Sequence, residues 1–196
     1  MSNLRRPPSD VERLLAGLGE LPGAVAVPTL VAVSGLPGTG KSYFSQRLSE
    51  RLPFVILESD ALRRVLFPAS IYSRQESFRL FKAVHQLIER LLKEGVSIIL
   101  DATNLTEGNR EYLYSIAERL GVKLMLVRVE APPEVVRQRL AGRDSASLSQ
   151  ADWAVYEKLA LTVEDIKRRH YAVDTSSDIG PVLDKIVAEI SKQGKK

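Results

Sequence analysis

Residues 35 to 42 read Gly-Leu-Pro-Gly-Thr-Gly-Lys-Ser, a full match to the pattern G-x-x-x-x-G-K-[ST]. An apolar run, TLVAVS, precedes it from Thr29, and a helical pattern follows from Lys41 to Arg51. A strand, a glycine-rich turn and a helix in that order aim successive backbone N–H groups and a helix N-terminus at one point, which suits a chain of phosphates. Gly35, Leu36, Pro37, Gly38, Thr39, Gly40, Lys41, Ser42 and Tyr43 are therefore the expected nucleotide-binding residues. Within them Lys41 is suited to the β- and γ-phosphates, and the Ser42 hydroxyl to a Mg²⁺ ion.

Beyond the loop, short apolar runs alternate with longer helical patterns. FVILES, VSIILD, VKLMLVRVE and YAVDTS are the runs; helices are expected up to Glu94, within Glu107 to Leu120, from Pro132 and Pro133, near Gln150 to Arg169, and from Gly180 to Lys192. Runs that are apolar throughout suit strands covered on both faces. The expected class is thus α/β, a three-layer α/β/α P-loop NTPase fold with about five parallel strands in a central sheet and a helical lid over about 139–152. Residues 29–196 are expected to form this domain. Residues 1–28 are expected to be an extension with a short helix between Ser9 and Gly19, where Val11, Leu14, Leu15 and Leu18 have helical spacing.

A chain of 196 residues supports one sizeable core. The absence of cysteine excludes disulfides and thiolate metal sites, and two histidines do not make a histidine-rich centre. Pro22 and Pro28 interrupt the most apolar early stretch, so it does not supply the roughly 20 apolar residues of a membrane span. A cytoplasmic protein without membrane contact is the expectation. The net charge of +4 is compatible with nucleic acid or a phosphorylated ligand and does not single either out.

The rest of the sequence narrows what the loop is for. No aspartate is followed three residues later by glycine, and no Asn-Lys-x-Asp occurs, so the usual switch and guanine-reading elements are missing. Asp101, at the end of VSIILD, has no glutamate after it to activate water as in hydrolytic motors. Asp60 follows the strand FVILES in the first turn of a helix, with Ser59 the expected N-cap. In a parallel sheet that strand end opens on the same cleft as the loop. A carboxylate there is placed to take the proton of an attacking hydroxyl, and Arg63, one turn on, to hold an anionic group of the acceptor. The plain alternative is that Asp60 favours the helix dipole and Arg63 is a solvated charge.

Asp101 is a candidate Mg²⁺ ligand through water, against the alternative of accepting N–H groups in its own turn. Asn104 and Arg110 are candidate acceptor-binding residues, against a purely local turn role. Arg139 and Arg143 end a helix before a Ser-rich break; they suit a lid that neutralises charge on a moving phosphoryl group, or simply the helix C-terminus. The basic cluster Arg63, Arg64, Arg74, Arg79 and Lys82 flanks the expected acceptor side. Trp153 and Tyr156 read as packing residues, and His85 as surface or satisfied core.

Taken together, GLPGTGKSYFSQRL, SDALR, DATN followed by Arg110, and RQRLAGR resemble the P-loop kinases related to the kinase domain of bacterial and phage polynucleotide 5′-hydroxyl kinases, a group of small kinases with zeta-toxin and chloramphenicol phosphotransferase-like relatives. The resemblance runs from about Thr29 to Val173. It implies ATP as donor with Mg²⁺, Asp60 as general base, Arg63 on the phosphate beside the acceptor hydroxyl, and Arg139 with Arg143 as the lid pair; Lys41 completes the catalytic set. It implies RNA or DNA 5′ ends as acceptors. A kinase of an antibiotic, sugar or nucleotide sugar stays open beside it, as does a regulatory protein that binds ATP without transferring phosphate.

Overall fold

The computed structural model describes residues 6–142 and 151–192. The elements run α1 (Asp10–Ala16), β1 (Thr29–Ser34), α2 (Lys41–Ser49), β2 (Val55–Glu58), α3 (Ser59–Leu66), α4 (Arg74–Lys93), β3 (Ile98–Asp101), α5 (Glu107–Leu120), β4 (Lys123–Glu130), α6 (Pro133–Ala141), α7 (Trp153–Ala160), β5 (His170–Asp174) and α8 (Gly180–Ser191). Five parallel strands form one sheet in the order β2-β3-β1-β4-β5. The order turns back at β1, so the loops leaving β1, β2 and β3 open on a crevice at the carboxyl ends of the strands.

Every residue of β1 and β3 is buried, as an apolar run between two helical layers requires. Successive side chains leave opposite faces. Leu30 and Ala32 join Leu57, Ile98 and Leu100 beneath α1, α3, α4 and α5. Val31 and Val33 join Ile99 and Val127 against Phe44 and Leu48 of α2 and Leu183 and Ile186 of α8. Each fully buried leucine contributes about 1.5–3 kcal/mol by leaving water. Among the described residues no helix is long and apolar enough to cross a membrane.

Local chemistry sets the helix ends. Capping boxes open α1 (Ser9 with Glu12) and α4 (Ser73 with Glu76), and α5 starts under the Thr106 side chain and stops at the left-handed Gly121. Two expectations are corrected. Ser59 is the first residue of α3; Glu58 occupies the cap position, and its side chain makes no cap bond. The helix expected over 150–169 ends at Ala160, because the next segment is drawn onto α5: Glu164 N–H donates to the Leu105 carbonyl, and the Glu164 and Asp165 carbonyls accept from Arg110. Residues 143–150 of the expected lid, Arg143 included, lie outside the described residues.

Candidate active site

The phosphate loop is locked from beneath by β3 and from the side by β5. Gly35 N–H donates to the Thr103 carbonyl at 3.1 Å, and the Ser34 hydroxyl to the Asn104 carbonyl at 3.0 Å. Thr39 Oγ1 and Lys41 Nζ both donate to the Leu36 carbonyl, at 2.8 and 3.0 Å, so the lysine lies over the loop. Gly40 has φ +92°, and a Cβ there would meet Thr175 Oγ1 at 2.9 Å; only glycine meets both demands. A side chain at Gly35 would collide with the Val129 carbonyl. The loop therefore presents bare backbone to the cleft, as a phosphate cradle needs.

That cleft has a volume of about 850 Å³. Its donor half is walled by Pro37, Gly38, Gly40, Lys41, Ser42 and Tyr43. Asp101 reaches it from the end of β3, 3 % exposed, with Oδ2 lacking any hydrogen-bond partner. Burial pushes the Asp101 carboxyl above its usual range, against the pull of Lys41 and a hydrogen bond from Ser42. Glu58, half-buried beside it, is raised as well, first by burial and then by the negative charges of Asp101 and Asp60. An unpartnered buried oxygen next to a second carboxylate and a serine hydroxyl fits a hard, oxygen-seeking cation, so the residues present suit Mg²⁺.

Asp60 and Arg63 rise from α3 into the other half of the cleft, facing Tyr72, Ser77 and Phe81. Arg63 is 7 % exposed. Its Nη2 donates to Ser77 Oγ at 3.2 Å, its ring partner Tyr72 stands 4.8 Å away, and Glu76 lies at 3.9 Å. The Glu76 carboxylate is already engaged by Ser70 Oγ and the Ile71 and Ser73 N–H groups. Arg63 Nε and Nη1 consequently have no hydrogen-bond partner. Of the five expected basic residues only Arg63 lines the cleft. Arg79 is held bidentately by Asp10 at 2.6 and 2.7 Å, against the Phe67 ring.

Arg139 approaches from α6. Its Nη1 donates to Thr175 Oγ1 and its Nη2 to the Thr175 carbonyl, both at 2.8 Å, while Nη1 lies 3.5 Å from the Gly38 carbonyl. Thr175 in turn donates to the Thr39 carbonyl at 2.6 Å and ties β5 to the loop.

Asn104 and Arg110, expected at the acceptor, lie outside the cleft lining. Asn104 is buried at φ +45°, with Nδ2 on the Val33 carbonyl at 2.8 Å. Arg110 is 1 % exposed and clasps the carbonyls of Asn104, Leu105, Glu164 and Asp165 together with Glu107. Every arm of its guanidinium is used in holding α5 and the segment before β5 to the loop after β3. Conversely, Glu58 and Tyr72 line the cleft and Thr175 ties the loop to β5 and Arg139, none of the three being a residue singled out in the sequence. Glu58 had a visible signal, a carboxylate closing an otherwise apolar strand; Tyr72 and Thr175 had none beyond sitting in polar turns.

A family model described as an AAA domain, AAA_33, matches residues 30–166, more than half of the chain. The chain belongs to this AAA-domain family. Over 134 residues the chain is 28 % identical to an L-seryl-tRNA(Sec) kinase of Methanococcus maripaludis, covering 66 % of this chain and 51 % of that protein. Another 26 % identity over 111 residues links it to an adenylyl-sulfate kinase of Myxococcus xanthus, with 55 % and 60 % covered. The chain thus spans about half to three-fifths of the length of these relatives.

Solved structures share the fold. The Mycobacterium tuberculosis APS kinase CysC in complex with AMPPNP and APS superposes with a TM-score of 0.66 at 15 % identity, covering 84 % of this chain and 98 % of that one. A chain of the Pnkp1/Rnl/Hen1 RNA repair complex gives 0.61 at 23 %, covering 71 % and 45 %. The architecture is that of a P-loop NTPase.

Proposed function

We propose that the chain is an ATP- and Mg²⁺-dependent kinase that moves the γ-phosphoryl group to a hydroxyl lying beside an anionic group of the acceptor. The observation that carries this reading is the single cleft in which Lys41 and Ser42 on one wall meet Asp60 and Arg63 on the other. The kinases among its relatives support the same class.

In this reading the loop amides and Lys41 hold the donor phosphates. Ser42 and Asp101, the latter through water, would hold Mg²⁺, whose contribution when bound is to neutralise negative charge at the β- and γ-phosphates. Asp60 takes the hydroxyl proton. Arg63 offers its two unpartnered donors to the acceptor's anionic group and so fixes the hydroxyl in line. Arg139, on the loop side through Gly38 and Thr175, is the group that neutralises charge on the moving phosphoryl, with Arg143 as its partner. A cytoplasmic setting, where ATP is available, goes with the proposal.

The 5′-hydroxyl of RNA or DNA is the first acceptor class, supported by the SDALR and DATN resemblance and by neighbours named for a tRNA-linked substrate and for RNA repair. A small anionic alcohol is the second, favoured by the fact that Arg63 alone of the basic cluster lines the cleft, where a nucleic-acid strand would call for a row of cations. Label transfer from γ-labelled ATP, offered 5′-hydroxyl oligonucleotides and a panel of sugar phosphates and other anionic alcohols, tests both. Labelled oligonucleotide ends are the expected result. Label on a small alcohol alone overturns the nucleic-acid assignment, and ATP binding without transfer to anything overturns the kinase.

A further inference from the structure

Glu58 ends β2 and stands at the N-cap of α3, yet its side chain makes no bond to the helix it precedes. Caps are normally made by serine, threonine, aspartate or asparagine, whose short side chains fold back onto the first N–H groups. This carboxylate goes elsewhere: it lines the cleft together with Lys41, Ser42 and Asp101.

The β2–β3 ladder pairs Glu58 directly with Asp101. Paired residues of adjacent strands leave the same face of a sheet with the strands about 4.8 Å apart, so two carboxylates start side by side. Asp101 is 3 % exposed, and its Oδ2 has no partner. A buried carboxylate oxygen facing a like charge is costly unless positive charge stands nearby; Lys41 pulls on both carboxylates, but its Nζ also donates to the Leu36 carbonyl and Asp101 Oδ2 is left without a hydrogen bond. Among the described residues no group of three acidic, histidine or cysteine side chains forms a closed metal cage. An ion held here must keep several waters and add phosphate oxygens, which is the habit of Mg²⁺.

We propose that Glu58 is the second protein carboxylate of the divalent-cation site, acting with Asp101 and the Ser42 hydroxyl on a hydrated Mg²⁺. This rests on reading the cleft as an ATP and Mg²⁺ site. Glu58 closes the side of the site that faces α3, so the cation is held between the donor wall and the helix that carries Asp60. Calorimetric titration of ADP with and without Mg²⁺, together with counting of bound Mn²⁺ by electron paramagnetic resonance, tests the assignment. Glu58→Gln is expected to weaken Mn²⁺ binding to the ADP complex about 10-fold or more, to leave metal-free ADP affinity unchanged, and to be largely restored by Glu58→Asp. Wild-type Mn²⁺ affinity in Glu58→Gln, with loss in Asp101→Asn, overturns the role of Glu58 and leaves the Mg²⁺ reading standing. An unaltered chain whose ADP affinity ignores Mg²⁺ overturns both.

Discussion

The donor wall of the cleft comes from one short stretch, residues 37–43, and works chiefly through backbone; the acceptor wall is assembled from the first turn of α3, the left-handed Tyr72 at φ +54° and the first turns of α4, and works through side chains. The first is a conformational solution. Glycines at positions where a Cβ would strike Thr175 or Val129 keep its backbone bare toward the phosphates. The second is a packing solution, in which Arg63 is aimed by Ser77, Tyr72 and Glu76, none of them on its own helix. A backbone cradle serves any nucleoside triphosphate, whereas a wall of side chains is the part able to choose an acceptor.

The sharpest way to break the proposed division is Asp60→Asn. A general base contributes about 10²- to 10⁴-fold, so kcat should fall by that order while nucleotide affinity, measured by calorimetry, stays as it was. Unchanged transfer in this variant would take the proton acceptor away from Asp60 and place it elsewhere in the cleft.

Arg110→Ala comes next. It leaves two buried carbonyls, two partly buried ones and the partly exposed Glu107 without their shared donor, a loss of about 3 kcal/mol from acceptors left unpaired. Chemical denaturation should show this drop, with the acceptor KM of the folded protein unmoved. A raised acceptor KM at undiminished stability would return Arg110 to the acceptor wall.

Arg63→Ala should remove about 2 kcal/mol of acceptor binding, the worth of hydrogen bonds to a charged group. Steady-state kinetics should register it in the acceptor KM and not in the KM for ATP. An equal rise in both would erase the boundary between the two walls.

The smallest effect lies away from both walls, at the far end of α4. Glu89 is brought down from the usual 4.5 to about 2 by hydrogen bonds from Arg119 and Lys93. A depressed carboxylate adds stability that is fully present above about pH 4.5 and is lost as the pH falls toward 2. The partners are half exposed, so solvent screening limits the contribution to about 1 kcal/mol at most. Urea unfolding at pH 6 and pH 3 should show Glu89→Gln losing less stability on acidification than the unaltered chain, with the cleft playing no part in the difference.

Legibility in the sequence follows the same division. The strands and most helices were readable, because apolar runs, capping boxes and the stop at Gly121 are local signals. The helix expected after Gln150 stops early, because the segment that follows it is held by Arg110, some fifty residues earlier in the chain. Asn104 and Arg110 carried the right residue types for an acceptor site, but type does not say which way a side chain turns; burial turned both toward carbonyls. Thr175 belongs to the run YAVDTS, where nothing local marks it, and its bond to the Thr39 carbonyl links residues 136 positions apart.

By itself, then, the sequence determined the alternation of strands and helices, the phosphate cradle between β1 and α2, and a carboxylate one turn before an arginine at the mouth of α3, since each depends on neighbours a few residues apart. Tertiary structure alone decided that Glu58 stands opposite Asp101, that Arg139 reaches Thr175, and that Arg110 is a clasp. Those facts depend on strand register and on contacts between distant segments. Short-range preferences shape the backbone, but only the packed whole determines which polar groups are left to find each other.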